Sequence, residues 1–228
     1  MNNTFTEENY LKTIYHLQQS SGTVSTNDLA FSLNTSPASI TDMLKKLSRK
    51  KLISYKAYYG CSLTAKGENT ALAIIRRHRL WEYFLSQTLG FGWDEVHEIA
   101  EDLEHISNEK LINKLDEFLN FPQTDPHGDP IPDARGRMSK QLQISLFNLQ
   151  EKKVAIVTQI ANQSTQVLEL LEKKNIHIGT HIEVLQRFPF DESMEIKTDK
   201  KHLSNITKEL SKIILLKTNG QASFRNFT

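Results

Sequence analysis

The chain has 228 residues, 38% of them hydrophobic and 24% charged, a globular composition with room for one large domain or two to three small ones. Its 28 Lys and Arg against 27 Asp and Glu give a net charge of +1, which taken alone argues against a wholly basic nucleic-acid coat protein and against an acidic disordered chain. One cysteine, Cys61, excludes an intramolecular disulfide framework and an all-thiolate zinc site; the start Met1-Asn2-Asn3-Thr4 is not a secretory signal, and no apolar run reaches membrane-spanning length, so a cytoplasmic protein is expected.

The average hides a pattern. Residues 1–75 carry +3, residues 76–138 carry −6 together with four of the eight histidines, and residues 139–228 carry +4. A basic module followed by an acidic, histidine-rich one predicts two different tasks.

In the first module Thr6 is expected to cap a helix in which Tyr10, Leu11, Ile14, Tyr15 and Leu17 recur at helical spacing. Gly22 breaks it, Ser25 or Thr26 caps a short second helix, and Ser36-Pro37 starts a third. That third helix buries Ile40, Met43, Leu44 and Leu47 and turns a polar, basic side outward. A hairpin follows: residues 53–57 and 61–64, turning at Tyr58-Tyr59-Gly60. Between Met43 and Gly67 stand seven Lys or Arg and no acid. These are the parts of a winged helix-turn-helix that reads duplex DNA. Its candidate contacts are Ser36, Pro37, Ala38, Ser39, Thr41, Asp42, Lys46 and Arg49 on the reading helix, and Lys56 in the wing.

The middle module carries metal-ligand chemistry. Thr64 is expected to cap a helix to about Leu89, on which His78 and Glu82 lie four apart and share a face. A second helix starting at Asp94 would place His97, Glu101, Glu104 and His105 on one side. Imidazoles and carboxylates without thiolate favour Mn²⁺, Fe²⁺, Co²⁺ or Zn²⁺ at five- or six-coordinate sites. Residues 121–140, rich in Pro, Gly and Asp, read as a surface connection. Beyond them, residues 154–157, 181–185, 194–196 and 213–216 read as short strands, and residues 166–173 as a helix, which together suggest a small barrel.

The stretches TEENYLKTIYHL (6–17), SPASITDMLKKL (36–47), LTAKG (63–67), RRHRLWEYFL (76–85), VHEIAEDLEH (96–105) and DPHGDPIP (125–132) together resemble the diphtheria-toxin-repressor family of iron- and manganese-dependent regulators. The resemblance implies a mainly α fold in three domains. These are a winged helix-turn-helix over 1–75, a helical dimerisation and metal-binding domain over 76–140, and an SH3-like, FeoA-type small β-barrel domain over 141–228. It further implies a homodimeric repressor of metal-uptake genes that binds a palindromic operator when loaded with Mn²⁺, or with Fe²⁺ or another divalent transition metal, and that is not an enzyme. The family's ancillary ligands carry over onto His78, Glu82 and His97. Its primary ligands carry over onto Glu101, Glu104 and His105, with Asn9 or Glu8 from the first helix. Glu101 stands where iron-type members have Cys, which favours manganese, and Lys12 stands where some two-manganese members have an acidic ligand. Asn162, Gln163 and Gln166 lie near the stretch from which the family's barrel lends a ligand. Two alternatives stay open: a metal-independent helix-turn-helix regulator, and a metal-dependent hydrolase acting on nucleic acid. Against the second, the sequence has no nucleophile motif, no HExxH and no Gly-rich phosphate loop.

Overall fold

A computed structural model of the chain describes residues 3–139, 142–199 and 202–218. It divides into two compact units. One comprises the residues up to Trp81 with Ala100–Phe121 and Ile131–Met138; the other comprises Glu82–Ile99, Pro122–Pro130 and the residues from Ser139 onward.

The first unit begins with helix α1 (Phe5–Ser21), started by a capping box two residues earlier than the sequence suggests. Thr4, not Thr6, accepts the Glu7 amide, and the Glu7 carboxylate accepts the Thr4 amide in return. The short helix α2 (Thr26–Ser32) repeats the device with Ser25 and Asp28. The helix α3 (Pro37–Arg49) has Ser36 as its cap and Pro37 in its first turn, where a missing N–H costs nothing. Ile40, Leu44 and Leu47 of α3 lie in one core with Leu11 and Ile14 of α1, Leu29 of α2 and Ile74 and Ile75 of helix α4 (Ala65–Gln87). The hairpin strands β1 (Ile53–Lys56) and β2 (Gly60–Leu63) pair in register from Ile53 with Leu63 to Lys56 with Gly60, and Val24 bridges to Cys61. Gly60 has φ +97° and its Cβ position would lie 2.4 Å from the Val24 carbonyl oxygen, so that turn requires glycine.

Helix α5 (Val96–Leu103) is shorter than expected at both ends: it starts after Asp94, and Glu104 and His105 fall in the turn that follows it. Helix α6 (Glu109–Phe118), capped by Asn108 and burying Ile112 and Leu115, is an element the sequence reading did not separate.

The second unit holds an antiparallel sheet of six strands: β3 (Ile144–Ser145), β4 (Val154–Ile160), β5 (His181–Arg187), β6 (Met194–Thr198), β7 (Leu203–Ile206) and β8 (Ile214–Thr218), in the order β3-β8-β4-β5-β6-β7. The helices α7 (Thr165–Lys173) and α8 (Lys208–Ile213) complete it. Alternate residues of the strands, among them Ala155, Val157, Ile182, Val184, Met194 and Ile196, are buried with Leu168 and Leu171 of α7, the period-2 pattern of a sheet with one apolar face. No described helix is long and apolar enough to cross a membrane.

Candidate metal centres and nucleic-acid interface

Two clusters of imidazoles and carboxylates stand out, one in each unit. In the second unit, Glu82 of α4 is 1% exposed, and Oε1 lies 3.1 Å from Nδ1 of His97, one residue into α5. The other partners come from the loop between α6 and β3. Asp125 and His127 are buried there, at 4% and 0% exposure, and Glu82, Asp125 and His127 each offer a ligand atom within 4.8 Å of the others. The expected surface connection is thus, at residues 125–128, part of the interior, and the reason is a dense set of hydrogen bonds. Asp125 Oδ1 accepts the amides of His127 (2.8 Å) and Asp129 (3.0 Å), and the His127 carbonyl accepts the Ile160 amide of β4 at 2.9 Å. Gly128, at φ +88°, brings the loop so close to β4 that a Cβ would sit 1.9 Å from the Thr158 carbonyl oxygen. Asp129 accepts from Gln159 of β4 and, at 2.6 Å, from Gln163.

His127 carries the chemistry of this cluster. Its Nε2 lies 2.7 Å from the Trp93 carbonyl oxygen, which can only accept, so Nε2 bears the proton. The Nδ1 atom on the other side of the ring is buried without a hydrogen-bond partner among the described residues and lies 3.9 Å from Glu82 Oε2. The Trp93 ring lies stacked with His127, centroids 6.1 Å apart, and also contacts His177 at 5.4 Å, which fixes the imidazole plane. An imidazole whose far nitrogen is committed to a carbonyl, and whose near nitrogen faces two carboxylates, has the outer-shell arrangement of a metal-ligating histidine. The donor set of two carboxylates and two imidazoles fits a divalent cation of the manganese-to-zinc series.

The cluster of the first unit is built on α1 and the end of α5. Asn9 is exposed on α1, and the side chain brought to His105 is that of Glu8, whose Oε2 lies 2.8 Å from His105 Nδ1 while Oε1 accepts from Arg77 at 3.2 Å. Phe5 stacks on His105, ring centroids 4.4 Å apart. Glu104 is fully buried, and His78 Nδ1 meets Oε2 at 2.7 Å. Lys12 reaches the same carboxylate, with Nζ at 2.7 and 2.8 Å from its two oxygens and at 3.3 Å from Glu101 Oε1. Burial pushes the Glu104 carboxyl up, but the His78 hydrogen bond and the Lys12 charge outweigh it and hold the group below the usual carboxylate range. Glu101 remains exposed. The expected single stripe on α5 is therefore divided: His97 faces Glu82, whereas Glu101 and Glu104 meet Lys12 and His105 meets Glu8.

Sequence reasoning placed His78, Glu82, His97, Glu101, Glu104 and His105 in ligand clusters but missed Asp125 and His127, although it had singled out their motif. The available signal was the Asp-x-His-Gly spacing inside DPHGDPIP. Of the amides considered in the second unit, Asn162 is exposed with Oδ1 accepting the Ser164 amide, Gln166 is exposed, and Gln163 is one hydrogen bond removed from the cluster through Asp129. Cys61 is buried in the wing, which pushes its thiol up to about 12 and leaves no thiolate for a metal.

The reading helix of the first unit exposes Ser36, Pro37, Ala38, Ser39, Asp42, Lys45 and Arg49, with Thr41 half-buried and its hydroxyl donating to the Pro37 carbonyl. Lys46 departs from the expected free phosphate contact: with Lys50 it meets the buried Glu7 carboxylate of α1, at 3.3 and 2.7 Å. In the wing Lys56 Nζ lies 4.1 Å over the Tyr59 ring, and Tyr58 is fully exposed.

Comparison with known proteins accounts for the whole layout. The profile of the iron dependent repressor N-terminal DNA binding domain matches residues 4–61, that of the iron dependent repressor metal binding and dimerisation domain matches residues 64–133, and that of the FeoA domain matches residues 144–218. The chain is 35% identical over 127 residues to the iron-dependent repressor IdeR of Mycobacterium leprae, covering 56% of this chain and 55% of that protein, so the match spans about half the length of that relative. It is 30% identical to the HTH-type transcriptional regulator MntR of Oceanobacillus iheyensis, over 52% of this chain and 80% of the other. A solved manganese-dependent transcriptional repressor in complex with manganese is similar with a TM-score of 0.84 and 32% identity, over 93% of this chain and 99% of that one. With an N-terminal winged helix-turn-helix, a helical ligand-bearing module and an SH3-like FeoA domain in that order, the chain belongs to the diphtheria-toxin-repressor family of iron- and manganese-dependent regulators.

Proposed function

We propose that the chain is a metal-activated, DNA-binding transcriptional repressor that works as a homodimer on a palindromic operator controlling metal-uptake genes, with Mn²⁺ as the favoured effector and Fe²⁺ as a competent substitute. The observation that carries the reading is His127: a buried Nδ1 without a hydrogen-bond partner among the described residues, facing Glu82 and Asp125, with the ring held by the Trp93 carbonyl. Glu82, His97, Asp125 and His127 are the proposed ligands. When bound, a divalent ion supplies two positive charges that neutralise the two carboxylates and tie together segments far apart in sequence: α4, the start of α5 and the 125–129 loop. The chain's own residues do the rest. Asp129, Gln159, Gln163 and Gly128 hold the loop on β4, and Trp93 sets the His127 tautomer.

On the DNA side, Ser36, Pro37, Ala38, Ser39, Thr41 and Asp42 are placed at the start of α3, where a reading helix meets base edges, and Arg49 and Lys56 are proposed phosphate contacts. Two reading helices in a dimer need a fixed spacing to match two half-sites. A metal that binds the DNA-competent arrangement better shifts the population toward it, and DNA then tightens metal binding by the same factor. The test is a titration at fixed ionic strength of a duplex selected from random sequence in Mn²⁺, under Mn²⁺, Fe²⁺, Zn²⁺ and a chelator. A reversible, metal-dependent shift that His127→Ala abolishes supports the proposal. Equal affinity with chelator contradicts it, and strand cleavage in Mn²⁺ would favour a hydrolase.

A further inference from the structure

The Glu104 cluster of the first unit differs in kind from the Glu82 cluster, because it already contains a cation. Lys12 Nζ sits within 3.3 Å of three carboxylate oxygens, two from Glu104 and one from Glu101. The Lys12 side chain is 15% exposed and that of Glu104 is 1% exposed, so this is a largely desolvated pair and not a surface ion pair. Arg77 adds a second permanent charge, on Glu8 Oε1, and its Nε lies on the Glu104 backbone carbonyl at 2.5 Å. Two fixed cations thus stand against the three carboxylates Glu8, Glu101 and Glu104.

The ammonium cannot drift away at no cost. Lys12 lies on α1 one turn after Glu8, between Leu11 and Ile14, both of which are fully buried in the core. The base of the side chain is therefore anchored, and the four-carbon stem has only to keep the head where it is. Removing the head would leave Glu104 buried with only imidazoles on its carboxylate, His78 Nδ1 at 2.7 Å and His105 Nε2 at 3.9 Å, and no permanent cation, an expensive state. A divalent ion entering beside the ammonium would meet like-charge repulsion at contact distance in a low-dielectric pocket.

We infer that Lys12 is the resident cation of the Glu8–Glu101–Glu104–His105 cluster, a specificity-determining residue that closes this cluster to divalent metal and leaves one loaded metal centre per protomer. The inference rests on the reading of the Glu82 cluster as the metal centre. Its consequence is that the contact between α1 and the end of α5 forms without metal, through a tethered ammonium whose effective concentration does not vary with the metal supply.

The test is Mn²⁺ stoichiometry on the full chain, from equilibrium dialysis with free Mn²⁺ read by electron paramagnetic resonance, so that DNA binding is not the readout. The native chain should bind one Mn²⁺ per protomer, Lys12→Met two, and Lys12→Arg, which keeps the charge, one. In Lys12→Met the second ion should bind at least tenfold more tightly than any second ion of the native chain. Adding His127→Ala should leave none in the native background and one in Lys12→Met. Two ions of similar affinity in the native chain, a measurement that needs no variant, would overturn the inference, as would Lys12→Met binding the same number as the native chain. If instead His127→Ala alone changes nothing, the reading of the Glu82 cluster fails, an outcome distinguishable from failure at Lys12.

Discussion

The two clusters are made of the same residue types and have opposite electrostatic designs. Around Glu104, every group named is already engaged: Lys12 and His78 on its carboxylate, and Arg77 and His105 on Glu8. Around His127, a ring nitrogen with no hydrogen-bond partner among the described residues is buried next to two buried carboxylates. A buried polar atom left in that state costs free energy, and it persists because the backbone of the 125–129 loop and the Trp93 carbonyl hold it there. Imidazole and carboxylate in helical spacing therefore do not specify a metal centre by themselves. What distinguishes one is the state of the remaining donors, and a single lysine is enough to change it.

The comparison breaks most directly at His127. Replacing it with Ala removes a ligand from the proposed centre, and Mn²⁺ affinity by calorimetry should fall by at least about 100-fold while the far-ultraviolet circular dichroism stays unchanged. Asp125→Ala should do the same, with some loss of stability, because the carboxylate also holds two loop amides. Next in size is Gly128→Ala. The added Cβ overlaps the Thr158 carbonyl and the backbone sits at φ +88°, so destabilisation on the order of 3 kcal/mol is expected in a denaturant titration, with Mn²⁺ affinity falling alongside. Gln163→Ala leaves the ligands in place but loosens Asp129; a 10-fold weakening of Mn²⁺ binding with little change in stability would mark it as a positioning residue.

A smaller effect tests the acid–base pair that joins α1 to α3. Burial pushes the Glu7 carboxyl up, but the Lys50 and Lys46 contacts and the Thr4 amide outweigh it and hold the group below 4.5. A carboxyl with a lowered folded-state pKa contributes stability that is present above its unfolded value and is lost as the pH falls through the folded one. Glu7→Gln should therefore flatten the acid limb of the melting-temperature profile below about pH 4.5 and leave the neutral-to-alkaline limb parallel to that of the native chain. The smallest expected effects are at the DNA face. Arg49→Ala and Lys56→Ala should each reduce the slope of log affinity against log salt by about 1, whereas Lys46→Ala, drawn to Glu7, should act mainly on stability.

Much of the first unit was legible because its signals are local. Ser36-Pro37 starts α3 and apolar residues at three and four spacing bury its inner face, while Gly60 marks the hairpin turn. The ligand candidates on α4 and α5 were legible for the same reason. The error at the first cap shows the limit of such reading: Thr4 and Thr6 both precede a helical run, and only the reciprocal bond to Glu7 selects Thr4. Asp125 and His127 were not assignable as ligands, because a loop has no period and Pro, Gly and Asp read as exposed; their burial depends on β4, which lies some 30 residues later in the chain. The pairing of Glu8 with His105 likewise joins residues 97 apart, and nothing near Asn9 in the sequence indicates that its neighbour, and not Asn9, faces inward.

The measurement that tests the account most directly is anomalous X-ray scattering at the manganese edge from crystals of the Mn²⁺-loaded chain. The account predicts a peak within about 2.3 Å of His127 Nδ1 and of oxygens from Glu82 and Asp125, at the distances manganese takes to nitrogen and oxygen. Manganese bound only between Glu8, Glu104 and His105, with Lys12 displaced and no density beside His127, would contradict it.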